Sequence, residues 1–226
     1  MRILVLTGSP HESGLSAALA DAFCEGATAA GHAIERFDTA KMTIQPCKGC
    51  YTCHAGRKPS STAVSSSLGT DANSVAGSSA ITDSKNDSNA EDCAKVDTTH
   101  SLCVIDDDMK YIWPHLRDCD VLVLVTPLYY FSFSAQLKTA IDRFFPLNET
   151  LKVLPKKACL LATCGNQNKW IAEGLTASYE AMCRHLSLDD AGRVISFACR
   201  DKAALQAGGY IEAAEKLGYG LTDTHH

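Results

Sequence analysis

Apolar residues in this chain follow two rhythms. The runs in Arg2 to Thr7, Val121 to Val125 and Ala158 to Thr163 are continuous, as in strands of a parallel sheet covered on both faces. Ala33 to Phe37 alternates like a shorter strand, and Arg193 to Ala198 reads as a fifth. Between these runs the period lengthens to that of a helix. Helical spacing covers Gly14 to about Ala30, the segment carrying Met109, Ile112, Trp113 and Leu116, about Ala135 to Phe144, Trp170 to His185, and Lys202 to Leu217, closed by Gly218. Cys47 to Cys53 is expected to open a short helix, and Asp106-Asp107-Asp108 reads as a helix cap, because carboxylates in a first turn are favoured by the helix dipole and need no ion. Strands alternating with crossover helices predict an α/β fold, a doubly wound five-stranded parallel sheet in the order 2-1-3-4-5.

One stretch breaks both rhythms. From 54 to 101 Ser, Thr, Asn, Asp, Gly and Ala dominate, with neither period. It is expected to be a low-complexity, flexible insertion, disordered or a mobile lid, within a single domain of residues 1-226. A hydrophobic content of 46% is enough for one core in a chain of this length. A net charge of -5 with both signs scattered argues against nucleic acid or an anionic membrane as partner. No window approaches the ~20 apolar residues of a membrane span, and the first strand begins at once, so a cytoplasmic location is expected. Most of the 11 cysteines sit inside apolar patterns and are expected to remain thiols there.

Candidate chemistry gathers where the topology places it. Gly8 to Ser16 is a loop rich in glycine and hydroxyls between the first strand and the first helix, with Ser9, Ser13 and Ser16 as hydroxyl donors. Such a loop presents free backbone N–H groups at the positive end of a helix dipole, which is a phosphate cradle; a plain serine-capped turn is the alternative. Neither the Gly-Lys-Ser/Thr of a triphosphate loop nor the Gly-x-Gly-x-x-Gly of a dinucleotide site is present, so a monophosphate is expected. Ligands bind such sheets at the switch point between strands 1 and 3. That point brings the loop together with Pro127 to Ser134, which holds the wall Leu128-Tyr129-Tyr130-Phe131, and with Thr163 to Asn166, which holds the small turn Cys164-Gly165. A flat, partly apolar, phosphorylated cofactor suits these parts, as flavin mononucleotide (FMN) would.

Gly8-Ser9-Pro10, Cys47-Lys48-Gly49-Cys50-Tyr51-Thr52-Cys53, Asp107-Asp108-Met109, Pro127-Leu128-Tyr129, Ser134-Ala135-Gln136-Leu137-Lys138 and Asp142-Arg143 occur in this order. In them the chain resembles the flavodoxin-fold NAD(P)H-dependent FMN reductases, a group that includes the iron-sulfur flavoproteins. The resemblance implies a flavodoxin-like fold and an enzyme that passes electrons from NAD(P)H through bound FMN to a small acceptor such as a quinone, flavin, azo or nitro aromatic. It places phosphate contacts on the loop of Ser9, His11, Ser13, Gly14, Leu15 and Ser16, and ring contacts on Pro127, Leu128, Tyr129, Tyr130, Phe131, Ser132, Thr163, Cys164 and Gly165. No protein residue takes a covalent part, and a homodimer or homotetramer is implied. His11 and Leu15 stand where family members commonly carry Arg and Asn, which implies weaker FMN binding. A non-catalytic flavodoxin-like binding protein is one alternative.

The other alternative, an iron-sulfur flavoprotein electron carrier, rests on cysteines. Cys47, Cys50 and Cys53 have the C-x2-C-x2-C spacing that holds three corners of a cluster. The resemblance puts Cys103 as the fourth ligand of a [4Fe-4S] cluster, with Cys93 as another candidate; zinc with His54 is a weaker possibility. Cys24, Cys119, Cys159, Cys183 and Cys199 read as small core residues.

Overall fold

The computed structural model describes residues 1–54 and 102–222. The expectations for the 54–101 insertion, including Cys93, fall outside the described residues except at His54. Five strands form one wholly parallel sheet in the order β2-β1-β3-β4-β5: β1 (Arg2–Thr7), β2 (Ala33–Asp38), β3 (Val121–Pro127), β4 (Lys156–Thr163) and β5 (Leu188–Ser196). The expected order of a doubly wound, flavodoxin-like sheet is the one observed.

Period-2 side chains divide the core between the two faces. Leu4, Leu6, Leu122, Leu124 and Leu160 pack with α2 (Met109–Asp118), α3 (Ala135–Asp142), α4 (Asn148–Val153) and α5 (Glu173–Leu186). Ile3, Val5, Val121, Val123, Val125 and Leu161 pack with α1 (Leu15–Ala29), α6 (Lys202–Ala207) and α7 (Tyr210–Tyr219). No helix among the described residues is long and apolar enough to cross a membrane.

Several boundaries differ from expectation for local reasons. The terminal helix breaks into α6 and α7 at Gly208-Gly209 and runs to Tyr219. Gly218 does not end it: a Cβ there would run into the Phe23 carbonyl, just as one on Gly26 would run into the Glu215 carbonyl, so the two glycines let α1 and α7 lie close together. β5 starts at Leu188, five residues before the expected Arg193, because its first half carries Asp189 and Asp190 and pairs with β4 across a bulge at Ala158/Cys159. Thr52–His54 forms a 3₁₀ turn where a short helix is expected to open at Cys47, and α4 adds a helix of six residues before β4. The triple aspartate is no simple cap: Asp108 occupies the N-cap position of α2 without a side-chain cap bond.

Candidate functional site

The loops that leave β1, β3 and β4 are tied together by short bonds. Gly8 N donates to Val125 O at 2.8 Å, and Leu128 N to Thr163 O at 2.9 Å. Ser134, at the N-cap of α3, donates from Oγ to Gly8 O at 2.7 Å and accepts from Leu137 N at 3.4 Å. Gly8 is required here, since a Cβ would strike Ser134 Oγ and stand 2.5 Å from Leu137 Cβ. Ser16 Oγ bonds Thr163 Oγ1 at 2.8 Å inside the core and ties the first loop to the third.

This stitching changes which groups of the first loop face outward. Ser16 is buried, Ser9 Oγ accepts from His11 N at 3.2 Å, and half-buried Leu15 packs on the α1 side of the core. Ser13, His11 and Glu12 are exposed, and Glu12 is paired with Lys41 at 3.0 Å. Among the described residues no acceptor meets the backbone N–H of Glu12, Ser13, Leu15 or Ser16, and α1 has neither a side-chain cap nor an acidic residue in its first turn. The loop is thus a set of open amide donors at the positive end of a helix of 15 residues, and it suits a phosphate through backbone more than through hydroxyls.

The third-strand loop forms a wall. Tyr129 and Ser132 exchange backbone bonds at 3.2 and 3.1 Å, closing a two-residue hairpin whose tip residues, Tyr130 and Phe131, have φ of 44° and 66°. Such turns ordinarily use Asn or Gly, so bulky side chains here hold backbone strain. Phe131 stacks on Trp170 at 5.6 Å, while Tyr130 is 97% exposed. Leu128, Tyr130, Phe131, Cys164, Gly165, Asn166 and Ile171 line a recess of about 370 Å³. Around its small turn, Cys164 N donates to Ser196 O and Asn166 N to Cys164 Sγ, whereas Gly165 N–H meets no acceptor among the described residues. Asn166 lies one residue past the expected ring contacts, and Ile171, on the turn before α5, gives no sequence signal beyond ordinary helix spacing. A largely apolar recess with an open backbone donor at Gly165, tied to a loop of open amides, fits a phosphorylated flavin.

A second recess, of about 260 Å³, is lined by Cys47, Cys50, Cys53 and Cys103 together with Lys48, Tyr51, Asp142, Arg143 and Phe145. The two cysteine segments, 47–53 and 103, thus meet at one place. Gly49 N approaches Cys47 Sγ at 3.5 Å and Thr52 Oγ1 donates to Cys50 Sγ at 3.4 Å, which holds the Cys50 thiol below its ordinary range. Burial, and then the neighbouring Cys103, Cys50 and Cys47, push the Cys53 thiol up. Among the described residues no three His, Cys, Asp or Glu side chains converge as a single metal ion requires. Four thiols lining one cavity are the donor type that an iron-sulfur cluster takes, each thiolate on its own iron.

Behind these cysteines lies an ion pair that the sequence does not announce. Arg143 and Asp107 side chains are each 1% exposed and joined at 2.7 Å. Asp107 also accepts from Gln45 N at 2.9 Å and Met109 N at 3.1 Å. Burial alone would raise its carboxyl, but the bonds from Arg143, Gln45 and Met109 outweigh that and hold it below the usual carboxylate range. Trp113 lies under the guanidinium, 5.4 Å from ring centre to Cζ, and its Nε1 donates to Arg143 O at 2.8 Å.

The family model described as flavodoxin-like fold matches residues 1–207. An iron-sulfur flavoprotein of Archaeoglobus fulgidus is 23% identical over 146 residues, 65% of this chain and 46% of that protein; the chain therefore spans less than half of that relative's length. Among solved structures, the NAD(P)H:quinone oxidoreductase of Methanothermobacter marburgensis superposes with a TM-score of 0.61 at 17% identity, covering 100% of this chain and 98% of the other. An FMN-dependent NADH-azoreductase of Bacillus anthracis, in complex with FMN, gives 0.60 at 14% identity, covering 99% and 100%. At such identities these two likenesses establish the fold.

Proposed function

Since the chain belongs to the flavodoxin-like fold family, we propose that it is an FMN-dependent NAD(P)H oxidoreductase that delivers electrons to a small planar acceptor such as a quinone, flavin, azo or nitro aromatic. The observation that carries this reading is the row of open amides at Glu12, Ser13, Leu15 and Ser16, stitched through Ser134 and Ser16 to the strand ends that bear the apolar recess. FMN would supply the redox chemistry, accepting hydride from the nicotinamide and passing electrons on. The protein's part is binding and electrostatics. The four amides hold the phosphate dianion without a cationic side chain, which agrees with His11 in place of an arginine. Leu128, Phe131 and Ile171 keep water from one side of the ring, and Gly165 N–H is the donor available to negative charge that develops there. Titration of the purified chain with FMN, followed by anaerobic mixing with NADH and NADPH, is expected to show saturable binding and then flavin bleaching. Absence of FMN binding would overturn the proposal.

A second reading concerns an additional electron carrier. The convergence of Cys47, Cys50, Cys53 and Cys103 on one cavity favours a [4Fe-4S] cluster there, and the Archaeoglobus relative is named an iron-sulfur flavoprotein. Iron and acid-labile sulfide in anaerobically prepared protein are the test; absence of both after reconstitution counts against it.

A further inference from the structure

The cysteines of the second cavity come from chain segments that the sheet does not order, and something must hold them face to face. We propose that the buried Arg143–Asp107 pair is the positioning element of the four-cysteine cavity, with Arg143 Nε–H held in reserve for a sulfur of the bound cluster. The proposal rests on the cluster reading above.

Two observations point to it. The first is connectivity. Arg143 Nη1 donates to Gln45 O at 2.8 Å and to Asp107 Oδ2 at 2.7 Å, and Nη2 to Asp107 Oδ1 at 3.2 Å and Ile105 O at 3.4 Å. Gln45 stands two residues before Cys47, and Ile105 two residues after Cys103. One guanidinium therefore grips both cysteine-bearing segments at matching distances from their first and last ligands. Asp107 doubles the grip by accepting from Gln45 N. The planar fork makes this possible, because a lysine ammonium has no fixed geometry with which to bridge two carbonyls and a carboxylate.

The second observation is a donor left over. Arg143 is 1% exposed and lines the cavity, yet its Nε is buried without a hydrogen-bond partner among the described residues. A buried donor on a charged group is costly to leave unmet. Nε is closed to the cavity as it stands, so anionic sulfur there would meet it as the lining adjusts around the bound group, with Arg143 acting as the outer partner that orients ligands and adjusts the metal group. Of the other charged side chains lining the cavity, Lys48 is exposed and Asp142 is engaged by Lys138 at 2.6 Å.

The test uses the full chain reconstituted anaerobically with ferrous iron and sulfide, as wild type, Arg143→Lys and Asp107→Asn. Iron retention is followed against increasing chelator, the midpoint potential is measured by dye equilibration, and folding is followed by the circular-dichroism melt. Both variants are expected to lose iron at about 10- to 100-fold less chelator than wild type. Arg143→Lys is also expected to have a lower midpoint potential, since it removes a donor that stabilises the more negative, reduced cluster. A folded variant that matches wild type in both chelator resistance and potential overturns the proposal. Should neither variant give a cooperative melt, Trp113→Phe carries the test. It unhooks Arg143 O and leaves the ion pair in place, and chelator resistance equal to wild type would again overturn the idea. If the wild-type chain takes up no iron and sulfide, the cluster reading falls and this inference with it. FMN binding, measured on the same samples, reports separately on the flavin proposal.

Discussion

The two recesses are built by opposite means. Around the first, every wall continues a strand: the segments after β3 and β4 line it, the loop after β1 is bonded to both, and neutral bonds such as Ser134 Oγ to Gly8 O and Ser16 Oγ to Thr163 Oγ1 are enough to fix their spacing. Around the second, the walls come from either side of a long sequence gap, and one buried charge pair brings them together. A site placed by topology tolerates weak fasteners. A site placed by a tertiary clamp depends on that clamp.

The largest expected effect is therefore at the clamp. Asp107→Asn leaves the Arg143 charge buried and uncompensated, at a cost of about 3–5 kcal/mol at pH 7, read by denaturant unfolding. The depressed carboxyl gives the effect a pH signature. Its contribution is complete above the unfolded value of about 3.9 and is lost as pH falls from there through the folded value, so the gap between variant and wild type should narrow only in acid. A gap that stayed constant into acid would place the stabilisation elsewhere.

Gly8→Ala probes the other recess. Its methyl has no room beside Ser134 and Leu137, and about 1–3 kcal/mol of stability should be lost to overpacking, together with FMN affinity as the first and second loops are forced apart. Iron retention at the cysteines should be unchanged, and a parallel loss there would break the contrast between the sites. The smallest effect has the opposite sign. Tyr130→Asn puts a residue that accepts positive φ at the hairpin tip, and should raise stability by about 1 kcal/mol in a thermal melt. No gain would mean that the turn is not strained.

Legibility in the sequence follows the same division. The apolar runs of β1, β3 and β4 and the helical spacing of α1 carry the sheet order, and with it the meeting of the Ser9, Pro127 and Thr163 loops. What periodicity could not reveal is which polar atoms remain open after folding. Ser9 and Ser16 look like phosphate donors in the sequence, yet the folded loop turns one onto His11 and the other into the core. Asp107 looks like one of three equivalent caps until Arg143, 36 residues later, selects it. An arginine just past the end of a helix resembles any solvated surface residue, and only its position in the Asp142-Arg143 motif marks it. Gly218 misled in the same way, because a glycine that stops a helix and one that admits a neighbouring helix are written alike.

The clamp also bears on where such a chain can be lengthened. Because Gln45, Ile105 and Asp107 are gathered at one guanidinium, the stretch between them begins and ends at a fixed collar. Doubling the length of a flexible loop between fixed ends costs only about 0.6 kcal/mol. A flexible segment grafted between the third cysteine and Cys103 would therefore cost the sheet little, which makes the collar a place for an experimenter to add one beside an existing site.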